Sequence, residues 1–242
     1  MASPTLVLIH GFLGFSRWGP IEYFRGVRKM LLRSGIRPLI PKLPSAGSIA
    51  ARSEALAREL FRTDASAFAL VGHSMGGLDA RYLITHLDPD KRVKSLLTIA
   101  TPHRGTPLAT WFLKARGPIP ACVRYIGRPG LCELTPEARA AMPIPDREDV
   151  DYASYASCRG LDELPFWLRP YGRVVREDND GMVPVSSTKW GQFRGIMQAD
   201  HLELIGWSID LPDARSKRPF DHLSFWSEAA EAVIAGAANK IN

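Results

Sequence analysis

Residues 67–81, Ala-Phe-Ala-Leu-Val-Gly-His-Ser-Met-Gly-Gly-Leu-Asp-Ala-Arg, constrain this chain more than any other stretch. The run from Phe68 to Val71 is apolar and of strand length, and a helical pattern begins at Met75. A strand that passes into a helix within so short a turn brings the two backbones close together. Glycines at 72 and 76 permit this because they lack a Cβ. Ser74 then stands at the tip of the turn with its hydroxyl exposed. The first N–H groups of the helix have no intrahelical acceptor and point toward it. This layout makes Ser74 a candidate nucleophile and the N–H of Met75 a candidate oxyanion donor. The plain alternative is a glycine-rich turn with a capping serine.

The flanking pattern extends this unit. Residues 5–9 (Thr-Leu-Val-Leu-Ile) read as a buried strand, followed by His10-Gly11-Phe12, where Phe12 would offer a second oxyanion N–H. Pro20, Ile21, Phe24, Val27 and Leu31 predict a helix ended by Gly35, and residues 37–40 a short strand. Residues 48–62 predict a second amphipathic helix, 75–86 a third, and 93–100 another strand. The alternation of strands and helices implies a mostly parallel sheet with helices on both faces, in a single domain spanning residues 1–242. From about residue 104 to 170 the regularity fails among prolines and aromatics, which suggests an inserted cap or lid. Trp111, Phe112, Phe166 and Trp167 are its candidate substrate-lining residues. Residues 172–177 and 195–198 read as later strands, and 222–238 as a closing helix.

A serine hydroxyl needs a base, and the base needs an orienting carboxylate. Asp180, on the turn Asp178-Asn179-Asp180-Gly181, and His201, after the last strand, follow Ser74 in the order Ser, Asp, His. Asp178 and His222 are their rivals. His10 and His73 are better placed to hold the oxyanion turns than to react, and His103 reads as structural.

Four stretches together resemble the bacterial triacylglycerol lipases and esterases of the α/β-hydrolase superfamily. They are His10-Gly11-Phe12-Leu13-Gly14, Gly72-His73-Ser74-Met75-Gly76-Gly77, residues 98–107 (Thr-Ile-Ala-Thr-Pro-His-Arg-Gly-Thr-Pro), and Asn179-Asp180-Gly181-Met182-Val183-Pro184 with Asp200-His201-Leu202-Glu203. The resemblance implies an α/β-hydrolase fold and a Ser74–His201–Asp180 triad with Phe12 and Met75 as the oxyanion hole. It also implies hydrolysis of carboxylic esters of apolar acyl groups without a cofactor. A polyester depolymerase, a thioesterase and an acyltransferase would share that triad, and a hydrolase-like lipid-binding module would share the fold alone. Many family members hold a structural calcium through an aspartate two residues after the histidine. Glu203 stands at that position here, and no metal site is expected.

Composition narrows the partners. The net charge is +6, but Lys and Arg are scattered rather than clustered, so nucleic acid is not an expected partner. The expected partner is a small ester or lipid, with transient contact at a lipid surface. No apolar run reaches transmembrane length. Residues 5–9 are too short for a signal-peptide core, which favours the cytoplasm, or secretion if a leader has been trimmed. Three cysteines do not make a disulfide framework; one Cys122–Cys132 bridge or three reduced thiols both fit.

Overall fold

A computed structural model describes residues 3–207 and 220–241. Strands β1 (Thr5–Ile9), β2 (Arg17–Trp18) and β3 (Ile21–Glu22) precede helices α1 (Val27–Arg33) and α2 (Ile49–Phe61). Then come β4 (Phe68–His73), α3 (Met75–His86) and β5 (Val93–Ile99). Helices α4 (Pro107–Lys114), α5 (Pro118–Glu133) and α6 (Pro136–Ala141) lead to β6 (Asp151–Ser157). The chain closes through α7 (Arg169–Val175), α8 (Val185–Thr188), β7 (Gln192–Met197) and α9 (His222–Ile241). The main sheet has the order β1-β4-β5-β6-β7, every pair parallel.

The alternation of side chains along a strand sorts the core into two layers. Leu6 and Leu8 of β1 face α1 and α9, together with Ala69, Val71 and the buried Trp226. Val7 and Ile9 face the other way, against Leu56 and Leu60 of α2 and Leu83 of α3. Ser48 caps α2 by accepting the N–H of Ala51 at 3.2 Å. With helices on both faces, the C-terminal ends of β4 and β6 and the loop after β7 converge on one edge.

Several expectations are corrected. The helix expected from Pro20 begins only at Val27, because residues 17–22 form the small β2–β3 hairpin instead. The strand expected at residues 37–40 shrinks to a single bridge between Leu39 and Val7. The stretch 172–177 is not a strand. It falls mostly in α7, which Pro170 opens in its first turn and Arg176 ends in the left-handed region at φ 61°. The missing strand is β6, inside the segment read as one cap. That segment is therefore two excursions on either side of a strand of the main sheet. No described helix is long and apolar enough to cross a membrane, and Cys122, Cys132 and Cys158 are all free thiols.

Candidate active site

β4 delivers the turn and α3 leaves it at once. A Cβ on Gly72 would lie 2.5 Å from the Cα of Gly77, so the strand–helix approach excludes any larger residue there. Ser74 is held at φ 55° and ψ −131°, a conformation that is sparsely populated for a residue with a side chain. Its N–H is tied to the Ile99 carbonyl at 2.9 Å, and its carbonyl accepts from Gly77 N–H at 3.1 Å and Thr101 Oγ1 at 2.8 Å. The surrounding hydrogen bonds thus over-determine the strained residue.

Asp180 and His201 meet at the same edge. His201 Nδ1 lies 2.7 Å from Asp180 Oδ2, and the backbone N–H of His201 donates to the Asp180 carbonyl at 3.0 Å. The carboxylate is fully ordered by its neighbours. Oδ2 also accepts from Ser157 Oγ at 2.8 Å, while Oδ1 accepts from the N–H groups of Met182 at 3.0 Å and Val183 at 2.8 Å. Ser157 is the last residue of β6, so the missed strand supplies one of the ties on the aspartate. The rivals are placed elsewhere: Asp178 is exposed, and His222 Nε2 lies 2.9 Å from the Arg25 carbonyl at the start of α9.

Ser74 and His201 open onto one apolar cavity of about 330 Å³. Phe12, Leu13, Leu108, Phe112, Leu131 and Tyr171 are among its lining residues. Met75 is fully buried at the first position of α3. Among the described residues, no acceptor takes the N–H of either Phe12 or Met75, so both donors remain available to a ligand. Of the four aromatics expected to line the pocket, Phe112 does so. Trp111 packs edge-on against Phe112 and Tyr171, with ring centroids 5.0 and 5.8 Å away. Phe166 is 62% exposed, and Trp167 also lies outside the cavity.

Sequence reasoning missed Tyr23 and Arg52. The Tyr23 hydroxyl accepts the Gly11 N–H at 3.1 Å and is hydrogen-bonded to His73 Nδ1 at 2.8 Å. Arg52 is fully buried, paired with Asp79 at 2.8 Å, and its Nη2 donates to the His10 carbonyl at 2.6 Å. Both residues fix the His10–Gly11 peptide, immediately before Phe12. Only their residue types were visible: a helical arginine and a tyrosine near a glycine turn carry no local signal.

The histidines behind the site are neutral. Burial, then the nearby His201, pushes His73 well below its usual 6.5. Burial and the Arg52 guanidinium lower His10 to about 4. The His73 ring centroid is 4.7 Å from that of His201, so a neutral His73 places no second cation beside that imidazole.

The Alpha/beta hydrolase family model matches residues 6–235. The chain belongs to the alpha/beta hydrolase family. Triacylglycerol lipase 2 of Saccharomyces cerevisiae is 31% identical over 225 residues, covering 81% of this chain and 66% of the yeast protein. A triacylglycerol lipase of Pseudomonas fragi is 31% identical over 108 residues, covering 43% of this chain and 36% of its own length. The chain thus spans no more than two thirds of these relatives. Among solved structures, Staphylococcus hyicus lipase aligns with a TM-score of 0.75 at 16% identity, covering 100% of this chain and 98% of that one. Mature Bacillus licheniformis lipase aligns at 0.70 and 20% identity, covering 84% and 87%. Both show the same hydrolase fold.

The calcium position of this resemblance does not fit a cation here. Glu203 is buried and its Oε2 lies 3.1 Å from Arg159 Nε, while the same oxygen accepts the Asp200 N–H at 2.8 Å. A guanidinium already neutralises the carboxylate. Among the described residues no cluster of three or more His, Cys, Asp or Glu could hold a metal.

Proposed function

We propose that this alpha/beta hydrolase cleaves carboxylic esters of apolar acyl groups through an acyl-enzyme formed on Ser74. The observation that carries the reading is the 2.7 Å His201–Asp180 pair, with His201 and Ser74 on one apolar cavity. Asp180 holds the Nδ1–H of His201 and leaves Nε2 to take the Ser74 proton. The alkoxide attacks the ester carbonyl, and the N–H groups of Phe12 and Met75 receive the developing oxyanion. His201 returns the proton to the departing alcohol, and water repeats the sequence to release the acid. Curated triacylglycerol lipases among the relatives support the same chemistry.

The substrate class follows from the cavity. Its wall is almost wholly apolar, which suits an acyl chain at roughly 0.8 kcal/mol per buried methylene. A volume of about 330 Å³ lies at the small end of ligand pockets, roughly 300–1,000 Å³, and favours short to medium acyl chains. Leu13 at the pocket rim and Ile119 and Ile126 on α5 are exposed apolar side chains, suited to transient contact with a lipid surface. Ser74→Ala tests the reading. It should fold normally, lose labelling by a fluorophosphonate probe, and lose roughly 10⁴–10⁶ in the rate of p-nitrophenyl butyrate hydrolysis. Near-normal turnover by the folded variant would refute the mechanism. No turnover and no labelling in the unmodified protein would favour a lipid-binding module.

A further inference from the structure

A second cavity, of about 200 Å³, shares no lining residue with the acyl pocket. Three arginines, Arg81, Arg104 and Arg139, line it beside Trp190 and the turn Met142-Pro143-Ile144. Such a concentration of guanidinium groups is costly without a counter-charge. Among the described residues Asp146 is the one carboxylate ion-paired with any of the three, bonded to Arg81 at 2.9 Å. The Glu133 carboxylate acts on Arg139 only through space, and its Oε2 is taken by the Ile49 N–H.

The state of Arg139 decides what the cavity is for. Its residue is 8% exposed, and its Nε donates to the Glu133 carbonyl at 2.6 Å. Among the described residues, neither Nη group has a hydrogen-bond or ion-pair partner, so the free end of a buried guanidinium faces the cavity. Arg81, in the same lining, is held rigid. Its guanidinium lies 4.2 Å over the Trp190 ring, donates to the Ile144 carbonyl, and keeps a buried Nε without an acceptor. His103 completes the floor. Its Nδ1 accepts from Arg81 at 3.3 Å, its Nε2 lies 3.0 Å from Thr98 Oγ1, and burial keeps it neutral. Arg104 is anchored through Nη1 to the carbonyls of Ser186 at 2.7 Å and Lys189 at 3.0 Å. Fixed, planar guanidinium groups around a void are the arrangement that binds a two-oxygen anion with directed, paired hydrogen bonds.

The geometry points to a binding site for a small carboxylate, its head on Arg139 between Arg81 and Arg104 and a short apolar body against Trp190 and Ile144. The apolar half of the wall sets the ligand class. Inorganic phosphate would satisfy the arginines and leave that wall bare, whereas a carboxylate on a ring or short chain meets both surfaces.

Calorimetric titration of the whole chain with sodium benzoate, and separately with inorganic phosphate, tests the assignment at low ionic strength. Benzoate should bind, and Arg139→Gln should weaken it about tenfold or more, since it removes the charged, bidentate donor. Met142→Asp provides a second test that does not disturb the buried arginine. Met142 is 45% exposed at this cavity, and a carboxylate there should weaken benzoate to a similar degree. Both variants should hydrolyse p-nitrophenyl butyrate at the unmodified rate. Absence of benzoate binding, or benzoate binding unchanged in both variants, would overturn the site. Phosphate binding as tightly as benzoate would overturn the carboxylate assignment.

Discussion

Tyr23→Phe isolates the contribution of a residue that does not itself react. The hydroxyl is buried and serves two partners, the Gly11 N–H at 3.1 Å and His73 Nδ1 at 2.8 Å. The ring itself packs against Phe24 at 4.9 Å and Phe15 at 6.2 Å between centroids, and phenylalanine preserves these contacts. The substitution therefore strands two buried polar groups at about 1–3 kcal/mol each, and a total loss of about 2–6 kcal/mol is expected. Gly11 immediately precedes Phe12, so freeing its N–H loosens the turn that aims the Phe12 donor. Complete loss of one oxyanion donor costs roughly 10²–10³ in kcat, and a donor that is loosened rather than deleted should cost about 10–100-fold. KM should change little, because the Tyr23 ring, which lines the pocket, is kept. Urea denaturation reads the stability and p-nitrophenyl butyrate hydrolysis the rate. A destabilised variant with unchanged kcat would show that Tyr23 braces the fold without holding the Phe12 turn.

Asp180→Asn should lower kcat by about 10⁴ by favouring the wrong His201 tautomer, while the exposed Asp178→Asn should have little effect; reversed outcomes in ester hydrolysis would reassign the acid. Phe112→Ala should raise KM for octanoate esters more than for acetate esters, because Phe112 lines the cavity, whereas Phe166→Ala should change neither. Stability should fall on acidification. His10 is lowered from 6.5 to about 4, so between those values the unfolded chain binds a proton that the native chain does not. By linkage this stabilisation is fully present above pH 6.5 and is lost as pH falls toward 4, by about 3 kcal/mol for His10 alone. His73 and His103, also lowered by burial, act in the same direction. Asp79, raised by burial to about 6, takes up its proton in the native chain first and offsets one histidine, so denaturant midpoints measured between pH 7.5 and 4.5 should still fall, and a flat profile would contradict the neutral histidines.

The fold was legible wherever local pattern and tertiary placement agree. β4, α3 and β5 combine strong apolar runs with a turn whose glycines are sterically required, and all three appear where expected. β6 was invisible because its sequence, Asp-Tyr-Ala-Ser-Tyr-Ala-Ser, lacks the β-branched residues that mark strands. Its strand form rests on parallel pairing with both β5 and β7, a long-range cause that no local window contains. The stretch Gly172-Arg173-Val174-Val175-Arg176 carries the opposite error. Two valines suggest a strand, yet Pro170 starts a helix just before them. The meeting of Asp180 with His201 needed only chain order and the Asp-Gly turn, since the element before that turn is helix α7 and not the strand expected there, whereas Tyr23 and Arg52 act through contacts across the turn and could be found only in three dimensions.

The cap was hardest to read for a reason that bears on how the site works. Helix α5 contains Gly127, Pro129 and Gly130, residues that argue against a helix in isolation. Pro129 removes one helical hydrogen bond, to the carbonyl of Tyr125 on the exposed side, where that residue is 92% exposed. The glycines answer to a neighbour instead. A Cβ at Gly127 would clash with the tip of the Phe12 ring, and one at Gly130 would lie 2.9 Å from Phe12 Cε2. The cap helix is therefore shaped to receive the side chain of Phe12, the residue proposed as an oxyanion donor. Its last residue, Glu133, fastens it to the body by accepting the Ile49 N–H at 2.5 Å, at the start of α2, three residues before Arg52. Arg52 in turn holds the His10 carbonyl. The cap, the oxyanion turn and α2 thus form one packed unit. Gly127→Ala should accordingly act at a distance from the reacting atoms. By pushing the Phe12 ring away from α5 it should lower kcat on acetate esters as well as on longer ones, an effect that a mere cover over the acyl chain would not produce.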